Sequence, residues 1–240
     1  LAVHLVVGAF ARTWLGGVST IERGGRGVEG LMLGAVLGTI GITWATNLFN
    51  FMDGIDGIAA VEAVSVAGFG GAMLIGAGAD GLGALSLIVA AACAGFLYFN
   101  WAPAKIFMGD VGSGFLGFTL ACLAIASEST GGPPLLVWAI LASAFITDAS
   151  VTFARRLRRG SWRTAHRSHA YQRLVQAGWS HARVTSAVAL LNGALAGMAA
   201  YAAYHHELLL PLTIAAFVTV GAIYWLVERV HPVTDVPGGR

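Results

Sequence analysis

"NLFNFMDGIDGIAA", residues 47–60, lies where one long apolar run stops and another begins. Two carboxylates, Asp53 and Asp56, stand three residues apart among glycines, preceded by Asn47 and Asn50. The chain around them is 57% hydrophobic and 11% charged, with a mean hydropathy of +0.74. A soluble domain carries roughly 25% charged residues, so an ordinary soluble fold is excluded. Working outward, apolar runs of about 18–21 residues recur along the chain, the length that crosses a bilayer core of roughly 30 Å as a helix. They are read near 31–48, 58–78, 84–101, 114–128, 134–153, 184–204 and 208–228.

An eighth run, 1–11, is cut short, and the chain opens on Leu1 rather than Met. The reading is therefore an all-α, polytopic transmembrane helix bundle of about seven full spans plus a truncated N-terminal one. It is one integral-membrane domain over 1–240, expected to lack its natural N-terminal part. The charged-then-apolar start of a signal peptide is absent. Cys93 and Cys122 both fall inside apolar spans, which suggests neither a disulfide framework nor a thiolate metal site. The glycines of "GFGGAMLIGAGADGLGA", 68–84, are read as helix packing and a turn, since small residues let membrane helices approach closely.

Even numbers of crossings separate the polar segments 47–57, 100–113 and 154–183, so all three are expected on one side. That side also collects 11 of the 14 Lys and Arg residues, eight of them between Arg155 and Arg183. By the positive-inside bias it is the cytoplasm.

Each polar segment has a chemical reading and a plain one. Asn47, Asn50, Asp53 and Asp56 follow one another at three-residue steps, which on a helix forms one narrow face. Gly54 and Gly57 allow tight turns or close approach of a ligand to backbone. The plain reading is a polar helix cap, but four amides and acids in register point to a protein-lined or water-filled cleft. In "FNWAPAKIFMGDVGSGFLG", 99–117, Pro103 breaks one helix and Asp110 opens the next. Asp110 suits a divalent cation held between it and a phosphate, or else it simply caps the helix. Phe107, close to the aqueous face, is read as a core or interfacial aromatic. The loop 154–183 carries eight arginines and three histidines without an acid. It reads as a topology signal against anionic lipid, and also as a positive surface for phosphates. Asp148, inside an apolar run, is read as the structural partner of an arginine or a neighbouring helix. A cation-coupled transporter is the rival from another class, although transporter sites tend to lie at the bilayer midplane.

The three segments resemble the polyprenyl-phosphate N-acetylhexosamine-1-phosphate transferases of glycosyltransferase family 4. They occur in that family's order, over a length matching about the C-terminal two-thirds of a member. The resemblance implies transfer of a sugar-1-phosphate from a UDP-HexNAc, or a 6-deoxy variant, to undecaprenyl phosphate, with release of UMP. Mg²⁺ or Mn²⁺ is the implied cofactor, with Asp110 as its ligand. Asp53, Asp56 and Asp110 are the implied catalytic carboxylates. Asn47, Gly54, Asn100 and Phe107 would line the nucleotide site, with Phe107 stacked on uracil. His166, Arg167, His169 and Arg173 would hold phosphates or the sugar.

The implied partners are the UDP-sugar, undecaprenyl phosphate and the bilayer, with no nucleic acid; a homodimer is compatible with this. The implied place is a bacterial inner membrane, multi-pass, with the active site facing the cytoplasm. "HRSHAYQRL" stands where the family can carry a run of adjacent histidines, and looks like the O-antigen branch. The alternative within the family is a phospho-MurNAc-pentapeptide transferase. The family's paired-aspartate motif has no counterpart here and is expected before Leu1.

Overall fold

The computed structural model describes residues 28–158, 160 and 169–231. Nine α-helices run through them: α1 Val28–Met52, α2 Ile58–Gly76, α3 Asp80–Asn100, α4 Gly109–Ser129, α5 Leu135–Leu141, α6 Ser143–Arg158, α7 Ala170–Gln176, α8 His181–Tyr204 and α9 Leu209–Val230. A 3₁₀ turn, His206–Leu208, leads into α9. The described residues form an all-α, multi-pass bundle. Five helical segments are long and apolar enough to cross a membrane: Ile58–Gly76, Asp80–Asn100, Gly109–Ser129, His181–Tyr204 and His206–Val230. The pair α5 and α6 makes a sixth if taken as one bent span, against about seven expected from the sequence.

α2 is the central helix. It packs most extensively on α3, and α8 crosses it on another side; α1 pairs with α4, while α9 packs on α5 and α6. Apart from Glu62 and Ser65, apolar residues cover the circumference of α2, as a helix enclosed by protein and lipid requires. Close approach to α3 rests on a glycine pair. A Cβ on Gly71 would stand 3.1 Å from the Gly83 carbonyl, and one on Gly83 would stand 3.0 Å from the Gly71 carbonyl. At the same contact Ser86 Oγ donates to the Ala67 carbonyl at 2.8 Å. The glycines of 68–84 thus serve packing and the turn at Gly78, as read from the sequence.

The run 134–153, expected as one straight helix, is broken. α5 and α6 meet at 78° across Ala142, with neither Pro nor Gly at the break. Ser143 Oγ donates to the Ile140 carbonyl at 2.7 Å, giving it a partner where the helical ladder is interrupted. Beyond the bend, α6 carries Thr147, Asp148, Thr152 and Arg155 into contact with other helices, so its polar face is used by protein rather than lipid.

Candidate active site

Helix ends converge at one end of the bundle, and the polar segments meet there. α1 finishes at Met52, and its last turns carry Asn47 and Asn50. Asn47 Nδ2 donates back to the Thr43 carbonyl at 2.7 Å. Asn50 Nδ2 reaches Ser113 Oγ at 3.3 Å, and the Ser113 hydroxyl in turn donates to the Gly109 carbonyl at 3.1 Å. The C-terminal end of α1 is thereby tied to the first turn of α4, where Asp110 stands exposed.

Between α1 and α2, residues 53–57 turn sharply. Gly57 takes φ +78°, a conformation that an L side chain rarely adopts, and precedes the first residue of α2. Its N–H donates to Asn100 Oδ1 at 2.9 Å, while Asn100 Nδ2 donates to the Ile106 carbonyl at 2.8 Å. Asn100, which the resemblance implies at the nucleotide site, is 5% exposed with both arms of its amide bonded within the chain, so it holds the 53–57 and 101–108 loops together. Asp56 does similar work. Its Oδ2 accepts from the Ala104 N–H at 3.1 Å and lies 3.3 Å from His181 Nδ1, and its carbonyl accepts from Thr185 Oγ1 at 2.8 Å.

Asp53 differs from its neighbour. Among the described residues its carboxylate has no recorded hydrogen bond or ion pair, although it is half-buried. Burial first, and then the negative charge of Asp110, raise its pKa from 3.8 to about 6. Two carboxylates that repel one another, one of them desolvated, form an arrangement that a hard divalent cation would relieve. Asp53 and Asp110 therefore fit such an ion. No group of three or more His, Cys, Asp or Glu side chains suited to a metal occurs among the described residues, so further ligands would be phosphate oxygens or water. Three residues before Asp110, Phe107 is 77% exposed.

The basic loop docks on the same region through α7. Tyr171 is buried, its hydroxyl donates to the Phe51 carbonyl at 3.3 Å, and it lies directly against Gly54, where a Cβ would collide with that hydroxyl. Burial and the charges of Asp148 and Asp53 push the Tyr171 phenol upward, so it remains a neutral donor. His169 is buried with its Nδ1 at 3.0 Å from Asp148 Oδ1, and the Ala170 N–H donates to Asp148 Oδ2 at 3.0 Å. Thr152 Oγ1 donates to the same carboxylate at 3.1 Å. Arg173, 3% exposed, pairs with Glu228 at 3.3 Å, and Arg155 pairs with the other oxygen of Glu228 at 2.7 Å. His166 and Arg167 lie outside the described residues.

Of the residues read from the sequence, Asn47 bonds within α1, Asn100 bonds to the Gly57 N–H, Asp56 bonds to the Ala104 N–H, and Asp53 lies close enough to Asp110 to feel its charge, while His169 and Arg173 belong to the bonded cluster around α7. Sequence reading missed His181 and Thr185 as partners of Asp56. It had a partial signal for Asp148, whose partner is a histidine and a helix start rather than an arginine.

The profile of glycosyl transferase family 4 matches residues 1–128. The chain belongs to this family. It is 34% identical over 149 residues to a probable undecaprenyl-phosphate N-acetylglucosaminyl 1-phosphate transferase of Bacillus subtilis, covering 61% of the chain and 41% of that relative. A phospho-N-acetylmuramoyl-pentapeptide-transferase of Rhodococcus opacus is 37% identical over 133 residues, 52% of the chain and 34% of the relative. A decaprenyl-phosphate N-acetylglucosaminephosphotransferase of Mycolicibacterium smegmatis is 29% identical over 208 residues, 76% of the chain and 49% of the relative. The chain therefore spans about a third to a half of the length of these curated relatives. Membership of this family sets aside the transporter alternative.

Proposed function

We propose that this chain carries the nucleotide-sugar and cation half of a transferase that moves N-acetylhexosamine-1-phosphate from a UDP-sugar to undecaprenyl phosphate. The observation that supports it most is the Asp53 carboxylate, desolvated, without a hydrogen bond among the described residues and raised in pKa also by the charge of Asp110, with Phe107 exposed three residues before Asp110. An oxygen of the lipid phosphate attacks the β-phosphorus of the UDP-sugar. The new P–O bond forms as the bond from that phosphorus to the bridging oxygen breaks, and the electron pair leaves with UMP. Mg²⁺ or Mn²⁺, when bound, would supply charge neutralisation for the diphosphate. Asp53 and Asp110 would hold it, Phe107 would stack on the base, and Asn100 and Asp56 keep the loops that carry them in place.

The N-acetylhexosamine donor is preferred to a MurNAc-pentapeptide donor on the resemblance of "HRSHAYQRL", without a run of adjacent histidines, to the O-antigen branch of the family. Within that stretch Tyr171 bonds to Phe51, and Gln172 Oε1 accepts from the His169 N–H at 3.3 Å, which docks α7. The test is release of UMP by the complete protein in lipid, with undecaprenyl phosphate and each donor in turn. UDP-N-acetylhexosamine is the expected substrate; turnover with UDP-MurNAc-pentapeptide alone would reverse the choice.

The site end of the bundle is proposed to face the cytoplasm, with α1 as the seventh crossing. Its 25 residues span about 37 Å at 1.5 Å per residue. Arg183 lies over Trp179 at 3.8 Å and Arg229 over Trp225 at 5.1 Å, cation–aromatic pairs suited to a headgroup boundary. Cysteines placed at Lys105 and Ser129 are expected to label from opposite sides of the membrane, Lys105 from the cytoplasm. Labelling of both from one side would remove this topology.

A further inference from the structure

Within α2, six residues beyond Asp56, Glu62 is 0% exposed. It meets Asn192 of α8, itself 1% exposed, whose Nδ2 donates to Glu62 Oε2 at 2.8 Å. The other two oxygens of the pair, Glu62 Oε1 and Asn192 Oδ1, are buried with no hydrogen-bond partner among the described residues. Both are acceptors, and among the described residues no Lys, Arg or His pairs with Glu62. An ionised Glu62 would leave a charge and two bare oxygens enclosed between membrane helices, where each unmet group is expensive.

One proton removes all three deficits. We propose that Glu62 is held as the neutral acid, its Oε1–H donated to Asn192 Oδ1. A carboxylic acid and a primary amide each offer one donor and one acceptor on a planar fork, so the two side chains close a ring of two hydrogen bonds. The ring is a neutral latch between α2 and α8. Its place in the fold gives it a positioning role. Asn192 lies seven residues, about two turns, beyond Thr185, so the two share one side of α8. Thr185 and His181 are the α8 groups that bind Asp56. Fixing Asn192 on Glu62 therefore sets the register at which α8 presents them to the 53–57 loop.

The test uses the purified chain in lipid nanodiscs. The infrared difference spectrum of wild type minus Glu62→Gln is expected to show the C=O stretch of a protonated carboxylic acid, shifted on exchange into D₂O. Glu62→Gln, an amide that restores both hydrogen bonds, is expected to keep the melting temperature close to wild type. Asn192→Leu, which leaves the acid unpaired, should lower it by roughly 3–10 °C. The double variant Glu62→Leu/Asn192→Leu should recover most of that loss, because both partners become apolar. A difference spectrum with only carboxylate bands, or a Glu62→Gln chain as destabilised as Asn192→Leu, would overturn the proposal.

Discussion

Two polar clusters lie side by side at one end of this bundle, and their atoms are used in opposite ways. Around α7, Asp148, Thr152, His169, Arg155, Arg173 and Glu228 bond to one another across α6, α7 and α9. In the turn after α1 and at the start of α4, Asp53 and Asp110 repel, and Phe107 is exposed. The first arrangement is architecture, since every member is held by another in the protein. The second makes sense only with something added. Asp53 and Asp56 show the same contrast within three residues, one left open and the other bonded to Ala104 and His181.

The bonded cluster should fail structurally when broken. Asp148→Leu removes the partner of His169, of Thr152 and of the Ala170 N–H together, and is expected to destabilise the chain by about 3 kcal/mol. Thermal unfolding in nanodiscs measures this. A loss below about 0.5 kcal/mol, the range of ordinary surface changes, would place the cluster with the open cleft as a ligand site.

The open cluster should fail functionally and leave stability alone. Phe107→Ala is expected to raise the KM for the UDP-sugar by about 5- to 150-fold, the range implied by roughly 1–3 kcal/mol of base stacking. The KM for the lipid phosphate and the melting temperature should stay where they are, because Phe107 is already exposed. An unchanged nucleotide KM would make its exposure a matter of the membrane surface.

Much of this contrast was legible in the sequence, and the limits are instructive. The apolar runs located most of the membrane-length helices, and the Asp–Gly spacing of 53–57 marked the turn between α1 and α2, because both are local patterns. The bend between α5 and α6 carries no Pro or Gly to announce it; it follows from packing. Asn100 was singled out only through the resemblance, and its bonds to Gly57 and Ile106 belong to no local pattern that the sequence shows. His181 and Thr185 lie more than 120 residues from Asp56, so no local periodicity could join them to it. The division between a bonded and an open carboxylate depends on such distant partners, and the sequence treated Asp53 and Asp56 alike.

The central claim is that Asp53 and Asp110, and not Asp56, await a cation. Because the folded pKa of Asp53 lies above its ordinary value, its ionised form costs stability; the cost is absent below pH 3.8 and complete above about pH 6. A bound cation would reverse that cost in the same window. The direct measurement is Mn²⁺ binding to the purified chain by electron paramagnetic resonance at pH 7.5 and pH 5, with wild type, Asp53→Asn, Asp110→Asn and Asp56→Asn. Wild type is expected to bind at pH 7.5 and more weakly at pH 5. Asp53→Asn and Asp110→Asn should each weaken binding by about tenfold or more, and Asp56→Asn should leave it within a few-fold of wild type. Equal affinity in all four proteins, or a loss confined to Asp56→Asn, would contradict the account.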